Sequence, residues 1–354
     1  MATQTGITIA GPNAPYTVVD NIPRPTPGPK QALVKSLFVG INPVEPFMQH
    51  SGLLIEEFPA IIGSDVTAVV LETGPGCEKL KKGDYVFGCV PIGQNKLSPF
   101  QDTFLVVEDW VFKKTDKVSL EGGCTVGSGI LTAGLALLDG QYMKLQPAGT
   151  SWAGAAINQQ SWVIVMGGSG TVGQYAVQIA KLCGYQVLAS TSVSKAEIAR
   201  KAGADATFDN RAPMEEQLGI IERVTGGLFA HVIDASVQAF ELSVKALDTI
   251  SKEKFKYFST TDDWSEMSVP ETISLYRVQL GQLGRFTTDL AKHTNEKVAE
   301  MIALFEGHFE AGGLRPLESY QVLDGVGWEK VIEAIDDFEA GKFSQKPIVK
   351  VHEE

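Results

Sequence analysis

The sequence predicts an α/β chain of two domains, a doubly wound parallel sheet domain and a smaller-stranded β-rich domain. Three observations carry that expectation. A chain of 354 residues is long for one hydrophobic core. From Trp162 onward, strand-like runs alternate with helical ones, as in a parallel sheet covered by helices on both faces. Before that point short apolar runs are divided by Gly/Pro turns, which suits a barrel-like or sandwich-like all-β domain.

The first 40 residues carry Pro12, Pro15, Pro23, Pro25, Pro27 and Pro29, then turn apolar over 32–39, a pattern of short strands and turns. Strand-like runs at 66–72, 85–90 and 104–107 follow, separated by Gly74-Pro75-Gly76 and Lys82-Gly83-Asp84. Residues 130–138 read as a buried helix, and a polar loop follows at about 146–160. The alternation then runs as strand 162–166, helix 171–183, strand 186–189, helix 195–201, strand 206–208, helix 215–224 and strand 230–234. Beyond about Leu280 the pattern is less regular, with a helix through 299–305 and a final strand at 347–351. Domains are expected at 1–129 with 281–354, and at 130–280.

Apolar residues form 44% of the chain and charged residues 20%, which places it among globular rather than disordered sequences. The formal net charge of −12 argues against nucleic-acid binding, which needs a basic footprint. Cys77, Cys89, Cys124 and Cys183 form no Cys-x-x-Cys pair and no zinc-finger spacing, so free thiols in a reducing compartment are expected. The start of the chain lacks a basic, apolar leader, and no run approaches the roughly 20 apolar residues of a membrane span. The expectation is a soluble cytoplasmic protein, a monomer by default, with no membrane or nucleic-acid partner.

The strongest motif is Gly167-Gly168-Ser169-Gly170-Thr171-Val172-Gly173, directly after the apolar run 162–166 and directly before a helix. Its Gly168-x-Gly170-x-x-Gly173 spacing allows a tight turn, close approach of a pyrophosphate, and close helix–strand packing. A mere packing turn uses glycines too; the strand, helix and continuing alternation favour a dinucleotide site. An NAD site usually places an acid about 20 residues further on, for the ribose 2′-hydroxyl. Here the stretch is Ala189-Ser190-Thr191-Ser192-Val193-Ser194-Lys195, with hydroxyls and a lysine but no acid. That chemistry suits a 2′-phosphate, hence NADPH. Ser194 could in addition cap the helix expected from Lys195.

No metal site is expected. Ile41-Asn42-Pro43-Val44-Glu45 lacks Cys and His, and Ile62-Gly63-Ser64-Asp65 stands where a Gly-His-Glu ligand pair would occur. The five histidines are scattered. Without a Lewis acid, alcohol oxidation is hard to promote, whereas reduction of an activated double bond needs none.

These residues resemble the medium-chain dehydrogenase/reductase superfamily in its zinc-free, quinone-oxidoreductase-like branch, with a Rossmann domain and a GroES-like β-rich domain. The resemblance rests on Ile41-Asn42-Pro43, Gly83-Asp84-Tyr85-Val86, the glycine turn, Ala202-Gly203-Ala204-Asp205, and Gly341-Lys342 with Lys346-Pro347-Ile348-Val349. Within that branch, Ser128-Gly129-Ile130-Leu131-Thr132-Ala133-Gly134-Leu135-Ala136 and Phe208-Asp209-Asn210-Arg211-Ala212-Pro213 are similar to the trans-acting enoyl reductases of fungal polyketide synthases.

The resemblance implies that Gly167, Gly168, Ser169, Gly170, Thr171, Val172 and Gly173 hold the pyrophosphate, and that Ser192, Val193, Ser194 and Lys195 surround the adenosine phosphate. Thr260 and Thr261 would meet the nicotinamide half, with Val44 and Glu45 beside the cofactor. Thr132, Ala133, Gly134, Leu135, Ala136, Leu137, Leu138 and Asp139 would line an acyl pocket with Phe47, Arg277, Val278, Gln279, Leu280 and Gly281. Two positions depart from the group. Phe47 replaces a frequent lysine, whose role does not carry over, and Asn210 replaces a frequent tyrosine, leaving hydrogen bonding to the adenosine without stacking.

The implied reaction is NADPH-dependent reduction of an α,β-unsaturated thioester on the acyl carrier protein of a polyketide synthase. A reductase of free quinones or enones, and a non-catalytic dinucleotide-binding protein, remain open alternatives. No Tyr, His or Lys is marked by spacing as the proton donor.

Overall fold

The structure, a computed structural model, describes residues 2–139, 145, 161–262 and 266–353. The loop expected at 146–160 lies outside them. In chain order the elements are β1 (Thr3–Thr8), β2 (Thr17–Pro23), β3 (Gln31–Gly40), α1 (Val44–Ser51), β4 (Asp65–Thr73), β5 (Tyr85–Cys89), β6 (Thr103–Val107), β7 (Phe112–Lys113), α2 (Leu120–Gly123) and α3 (Gly127–Leu138). Next come β8 (Trp162–Met166), α4 (Thr171–Leu182), β9 (Gln186–Thr191), α5 (Ala196–Ala202), β10 (Ala206–Asp209), α6 (Met214–Thr225), β11 (Phe229–Asp234), α7 (Phe240–Thr249), β12 (Lys256–Thr260) and β13 (Ile273–Arg277). The chain ends with α8 (Asp289–Ala311), β14 (Tyr320–Val326), α9 (Trp328–Glu339) and β15 (Lys346–Lys350). It divides into two compact units, Met1–Ser128 with Gly281–Glu354, and Gly129–Leu280.

In the Gly129–Leu280 unit, six parallel strands lie in the order β10-β9-β8-β11-β12-β13. The central β8 is a continuous apolar run, Trp-Val-Ile-Val-Met, with four of its five residues buried. Such a run is what a strand covered on both faces requires. The chain steps from β8 out to β10, then returns to the other side of β8 with β11, so the strand order reverses there. Open α/β sheets bind ligands at the carboxyl ends of strands beside such a reversal. Ile164, Met166, Leu188, Phe208, Val232 and Phe258 form part of the core.

In the other unit, a mixed sheet runs β14-β15-β3-β4-β5-β7, with β6 also pairing β3. Strand β3 pairs antiparallel with β4, β6 and β15, which explains why eight of its ten residues are buried. The helix expected at 299–305 is the middle of the longer α8, whose buried Ala291, Thr294, Val298, Met301, Ile302, Phe305 and Phe309 keep helical spacing throughout. Helix α9, unread in the sequence, buries Trp328, Val331, Ala334 and Ile335 along one face. Among the described residues, no helix is long and apolar enough to cross a membrane.

Asp102 ties the ends of this unit together. Its carboxylate accepts Thr5 N–H at 2.9 Å and Trp328 Nε1 at 3.0 Å, and faces His352 Nε2 at 3.0 Å. Burial alone would raise its pKa, but the bonds from His352, Thr5 and Trp328 hold it below the usual carboxylate value. Asp102 therefore contributes stability above the unfolded carboxylate pKa, and that contribution is lost as pH falls through the folded one. Asp102→Ala should lower unfolding free energy at pH 7 by roughly 2 kcal/mol, the worth of hydrogen bonds to a charged group. Urea titrations at pH 7 and pH 3 check this, and the difference from the unaltered chain should shrink at pH 3.

Candidate functional site

The glycine turn lies between β8 and α4, and the end of β9 grips it. Gly168 N–H donates to Ser190 O at 2.8 Å, Gly167 N–H to Ser190 Oγ at 3.0 Å, and Thr191 Oγ1 to Ser169 Oγ at 2.6 Å. A Cβ on Gly173 would stand 2.1 Å from Gly167 O, so only glycine lets α4 begin this close to the strand. The first N–H groups of a helix have no intrahelical acceptor, and the N-cap Gly170 brings no side-chain oxygen to them. With the positive helix end this forms a cradle for an anion. Gln174, 2% exposed, donates Nε2 to Ser169 O at 3.0 Å, while its Oε1 is buried without a partner. That spare acceptor and the glycine cradle fit a dinucleotide.

A cavity of about 500 Å³ opens at the carboxyl ends of β9, β10 and β11, lined by Ser190, Asn210, Met214, Ser236, Val237 and Asp262 among others. Asn210 is thus brought to the glycine turn's side of the sheet. Ser192, Val193, Ser194 and Lys195 follow β9 in a 3-10 turn, with the two serine hydroxyls 3.4 Å apart. The helix expected from Lys195 begins at Ala196, with Lys195 at its N-cap, so Ser194 does not cap it. Thr260, fully buried at the end of β12, accepts Asp262 N–H at 3.1 Å, and Thr261 N–H donates to Asp234 O at 3.1 Å. Arg277 closes β13, Val278 N–H donates to Thr260 O at 2.9 Å, Gln279 follows, and Leu280 and Gly281 enter a short 3-10 turn.

Along α3, Ser128 and Thr132 are the residues that are not buried. They stand one turn apart, on one helix face. Ala133, Gly134, Leu135, Ala136, Leu137, Leu138 and Asp139, expected to line an acyl pocket, are all buried, so Thr132 alone of that stretch presents an accessible side chain. The stretch is too apolar for its sequence to separate a lining from a core.

A second centre forms in the Met1–Ser128 and Gly281–Glu354 unit, where the ends of three strands meet. Gly40 pairs with both Asp65 and Ile348, which brings the start of β4 and the start of β15 to the end of β3. Lys346 Nζ donates to Asp65 Oδ2 at 2.7 Å and also to Asn42 Oδ1. Asn42 Nδ2 donates to Ser64 Oγ at 2.9 Å and Asp65 Oδ2 at 3.1 Å. Asp65 Oδ1 accepts Ser128 N–H at 2.6 Å, at the start of α3, and Ser128 Oγ donates to Asp65 Oδ2 at 2.9 Å. A Cβ on Gly40 would meet Lys346 Cε at 2.8 Å, and one on Gly127 would meet Asp65 Oδ1 at 2.1 Å. Those two glycines make room for the contacts.

Glu45, expected beside the cofactor, is instead fully buried. Its carboxylate accepts Asn42 N–H at 2.7 Å and Ser64 Oγ at 2.7 Å, so its side chain faces this centre. Burial pushes its carboxyl up to about 7; the Ser64 bond and Lys346 oppose the shift, and the Asp65 charge adds to it. Val44 and Phe47, its neighbours on α1, are partly buried against the unit's core. Sequence reasoning noted Asn42, Ser128 and Lys346 only as carriers of the resemblance, and Ser64 and Asp65 only as places lacking ligands. It read Ser190 and Thr191 only within the hydroxyl stretch, and it did not single out Gln174. A lysine opening the last apolar strand was the available signal for Lys346.

The donor set does not fit zinc. Asp65 and Asn42 are taken by the Lys346 ammonium, and no imidazole joins them. Burial raises the thiols of the neighbouring Cys89 and Cys124 well above their usual value. Among the described residues no group of three or more His, Cys, Asp or Glu could hold a metal ion.

Two family matches fall one in each unit: an alcohol dehydrogenase GroES-like domain at residues 28–116 and a zinc-binding dehydrogenase at residues 171–250. The chain is similar to the medium-chain dehydrogenase/reductase superfamily. It is an oxidoreductase with a Rossmann-type unit and a GroES-like unit. The zinc-binding name attaches to residues 171–250, none of which belongs to the Lys346 centre. Among curated relatives, dehydrogenase pigH of Monascus ruber is 29% identical over 68% of this chain and 67% of its own. Trans-enoyl reductase caaB of Aspergillus niger is 29% identical over 94% of this chain and 93% of its own. Trans-enoyl reductase traG of Penicillium crustosum is 26% identical over 93% and 92%. An alcohol dehydrogenase superfamily protein from Novosphingobium aromaticivorans shares the fold with a TM-score of 0.76, 21% identity and coverage of 99% and 100%. Mycobacterial Rv1454c, solved in complex with NADPH, does so with a TM-score of 0.70, 21% identity and coverage of 98% and 99%.

The raised Glu45 pKa makes folding take up a proton between the unfolded carboxylate pKa of 4.5 and about 7. Its contribution is fully present below 4.5 and is lost as pH rises through about 7. Glu45→Gln keeps an acceptor for Asn42 N–H and removes the charge. It should flatten stability against pH over this window and raise unfolding free energy at pH 8 by up to about 3 kcal/mol. Denaturant midpoints from pH 4 to 8 check it.

Proposed function

We propose that this oxidoreductase is an NADPH-dependent enoyl reductase that acts in trans on an α,β-unsaturated polyketide thioester carried by an acyl carrier protein. The observation that carries the reading is the Lys346 centre. The cation there is an ammonium bound by Asp65 and Asn42, and reduction of a conjugated double bond needs no Lewis acid at that point. Support also comes from relatives named trans-enoyl reductases that align with more than nine-tenths of this chain.

Residues 130–280 serve as the nucleotide half, and residues 1–129 with 281–354 as the substrate-handling half. Ser169, Gly170, Thr171 and Val172 bind the pyrophosphate at the start of α4, with Gly167, Gly168 and Gly173 admitting it. Asn210 hydrogen-bonds the adenosine from the cavity at the carboxyl end of β10. Ser192, Val193, Ser194 and Lys195 surround the 2′-phosphate, because hydroxyls and an ammonium stabilise an anion that a carboxylate would repel. Thr260 and Thr261 flank the nicotinamide half, Val44 and Phe47 border the cofactor and substrate, and Thr132 with the segment from Arg277 to Gly281 holds the acyl chain. Bound NADPH supplies a hydride for the β-carbon of the enoyl group.

Incubation with NADPH and an enoyl pantetheine thioester, read by a two-mass-unit gain, tests the reading against a simple quinone in parallel. Thioester reduction is expected. Rapid quinone reduction with no thioester reduction overturns it. Lys195→Glu should weaken NADPH binding at least about tenfold more than NADH binding, by removing a phosphate partner and adding a repulsive charge. Fluorescence titration with both nucleotides measures this, and equal losses would reduce Lys195 to a surface residue.

A further inference from the structure

Six polar side chains make up the Lys346 centre, and five of them, Asn42, Glu45, Ser64, Asp65 and Lys346, are buried. Ser128 is the member that reaches accessible surface. A buried charged network of this size is weak as a stabilising device, since well-packed apolar residues often do as well or better. Its geometry converges on one hydroxyl. Asp65 holds both the Ser128 N–H, at 2.6 Å, and Ser128 Oγ, at 2.9 Å, while Asn42 Oδ1 stands 3.3 Å from the same oxygen. Both the backbone and the rotamer of Ser128 are thereby constrained. The Asp65 oxygen that accepts from Ser128 Oγ also accepts from Lys346 Nζ, which places an ammonium proton two hydrogen bonds from an accessible hydroxyl.

We propose that Ser128 is a catalytic residue whose hydroxyl delivers the proton that completes the reduction at the substrate α-carbon, with Asp65, Asn42 and Lys346 as the positioning residues that orient and recharge it. The assignment rests on the enoyl-reduction reading above. With the β-carbon C–H bond made by the hydride that a bound reduced nicotinamide would supply, the enolate electron pair would take the Ser128 Oγ proton. The α-carbon C–H bond forms and the O–H bond breaks. A proton passes from Lys346 Nζ through Asp65 Oδ2 to Ser128 Oγ, leaving a neutral amine that solvent reprotonates. One hydride and one proton enter the product, and no other oxidant or reductant is consumed.

Turnover of crotonyl pantetheine with NADPH in deuterium oxide separates the outcomes. The unaltered chain should place solvent deuterium on the α-carbon with a solvent isotope effect on kcat. Ser128→Ala should lower kcat about 10²-fold or more, the usual worth of a general acid, with NADPH affinity by fluorescence titration and the melting temperature little changed. Ser128→Cys, which keeps a proton on the side chain, should restore part of the rate and add a thiol-like limb to the pH profile. Should Ser128→Ala not fold, Ser128→Cys alone decides, and a pH profile unchanged from that of the unaltered chain overturns the assignment. A Ser128→Ala enzyme with unchanged kcat and isotope effect also overturns it, while leaving enoyl reduction intact. No turnover by the unaltered chain removes the enoyl-reduction reading, and this assignment with it.

Discussion

The ion pair between Asp65 and Lys346 is the constraint on which the GroES-like unit is built. Its side chains are 0% and 2% exposed, so each charge depends on the other for solvation. Removing one partner of such a pair usually costs about 3–5 kcal/mol, because the survivor is left buried and uncompensated. The pair joins the first residue of β4 to the first residue of β15, and through Asn42 and Ser128 it also reaches the entry to α1 and the start of α3. Asp65 acts as an anionic acceptor at the α3 N-terminus, where the helix dipole favours negative charge. One carboxylate thus neutralises a lysine, orients an asparagine and anchors a helix.

Burial and the neighbouring charges account for Glu45. It sits fully buried beside a second carboxylate and one ammonium. Burial first, with the Asp65 charge adding to it, pushes the Glu45 carboxyl up. Zinc chemistry at this point would call for thiolates or imidazoles. The fold offers two carboxylates, hydroxyls, an amide and an ammonium there, and Asp65 is already held by Lys346, Asn42 and Ser128, so the donor set does not suit a Lewis acid.

What the sequence made legible was local. The β8–turn–α4 segment combines an apolar run, three spaced glycines and a helix, all within 21 residues, and its expected strand has the observed boundaries. The Lys346 centre joins residues 281 apart, and nothing near either end announces the other. Helix α1 went unread because it is eight residues long, contains Pro46 and buries a glutamate where a core residue would be apolar. Helix α9 was hidden by its many acids, although Trp328, Val331, Ala334 and Ile335 keep helical spacing. The hydroxyls after β9 were read together as phosphate partners. The strand runs to Thr191 rather than Ala189, so Ser190 and Thr191 are committed to the glycine turn and only Ser192 and Ser194 remain outside it.

The central claim is that the cation of this centre is the Lys346 ammonium and not a metal ion. Elemental analysis of the purified chain, after incubation with excess zinc and gel filtration, tests it directly. The account predicts zinc far below one equivalent per chain. One tightly held equivalent that Asp65→Asn abolishes would contradict it.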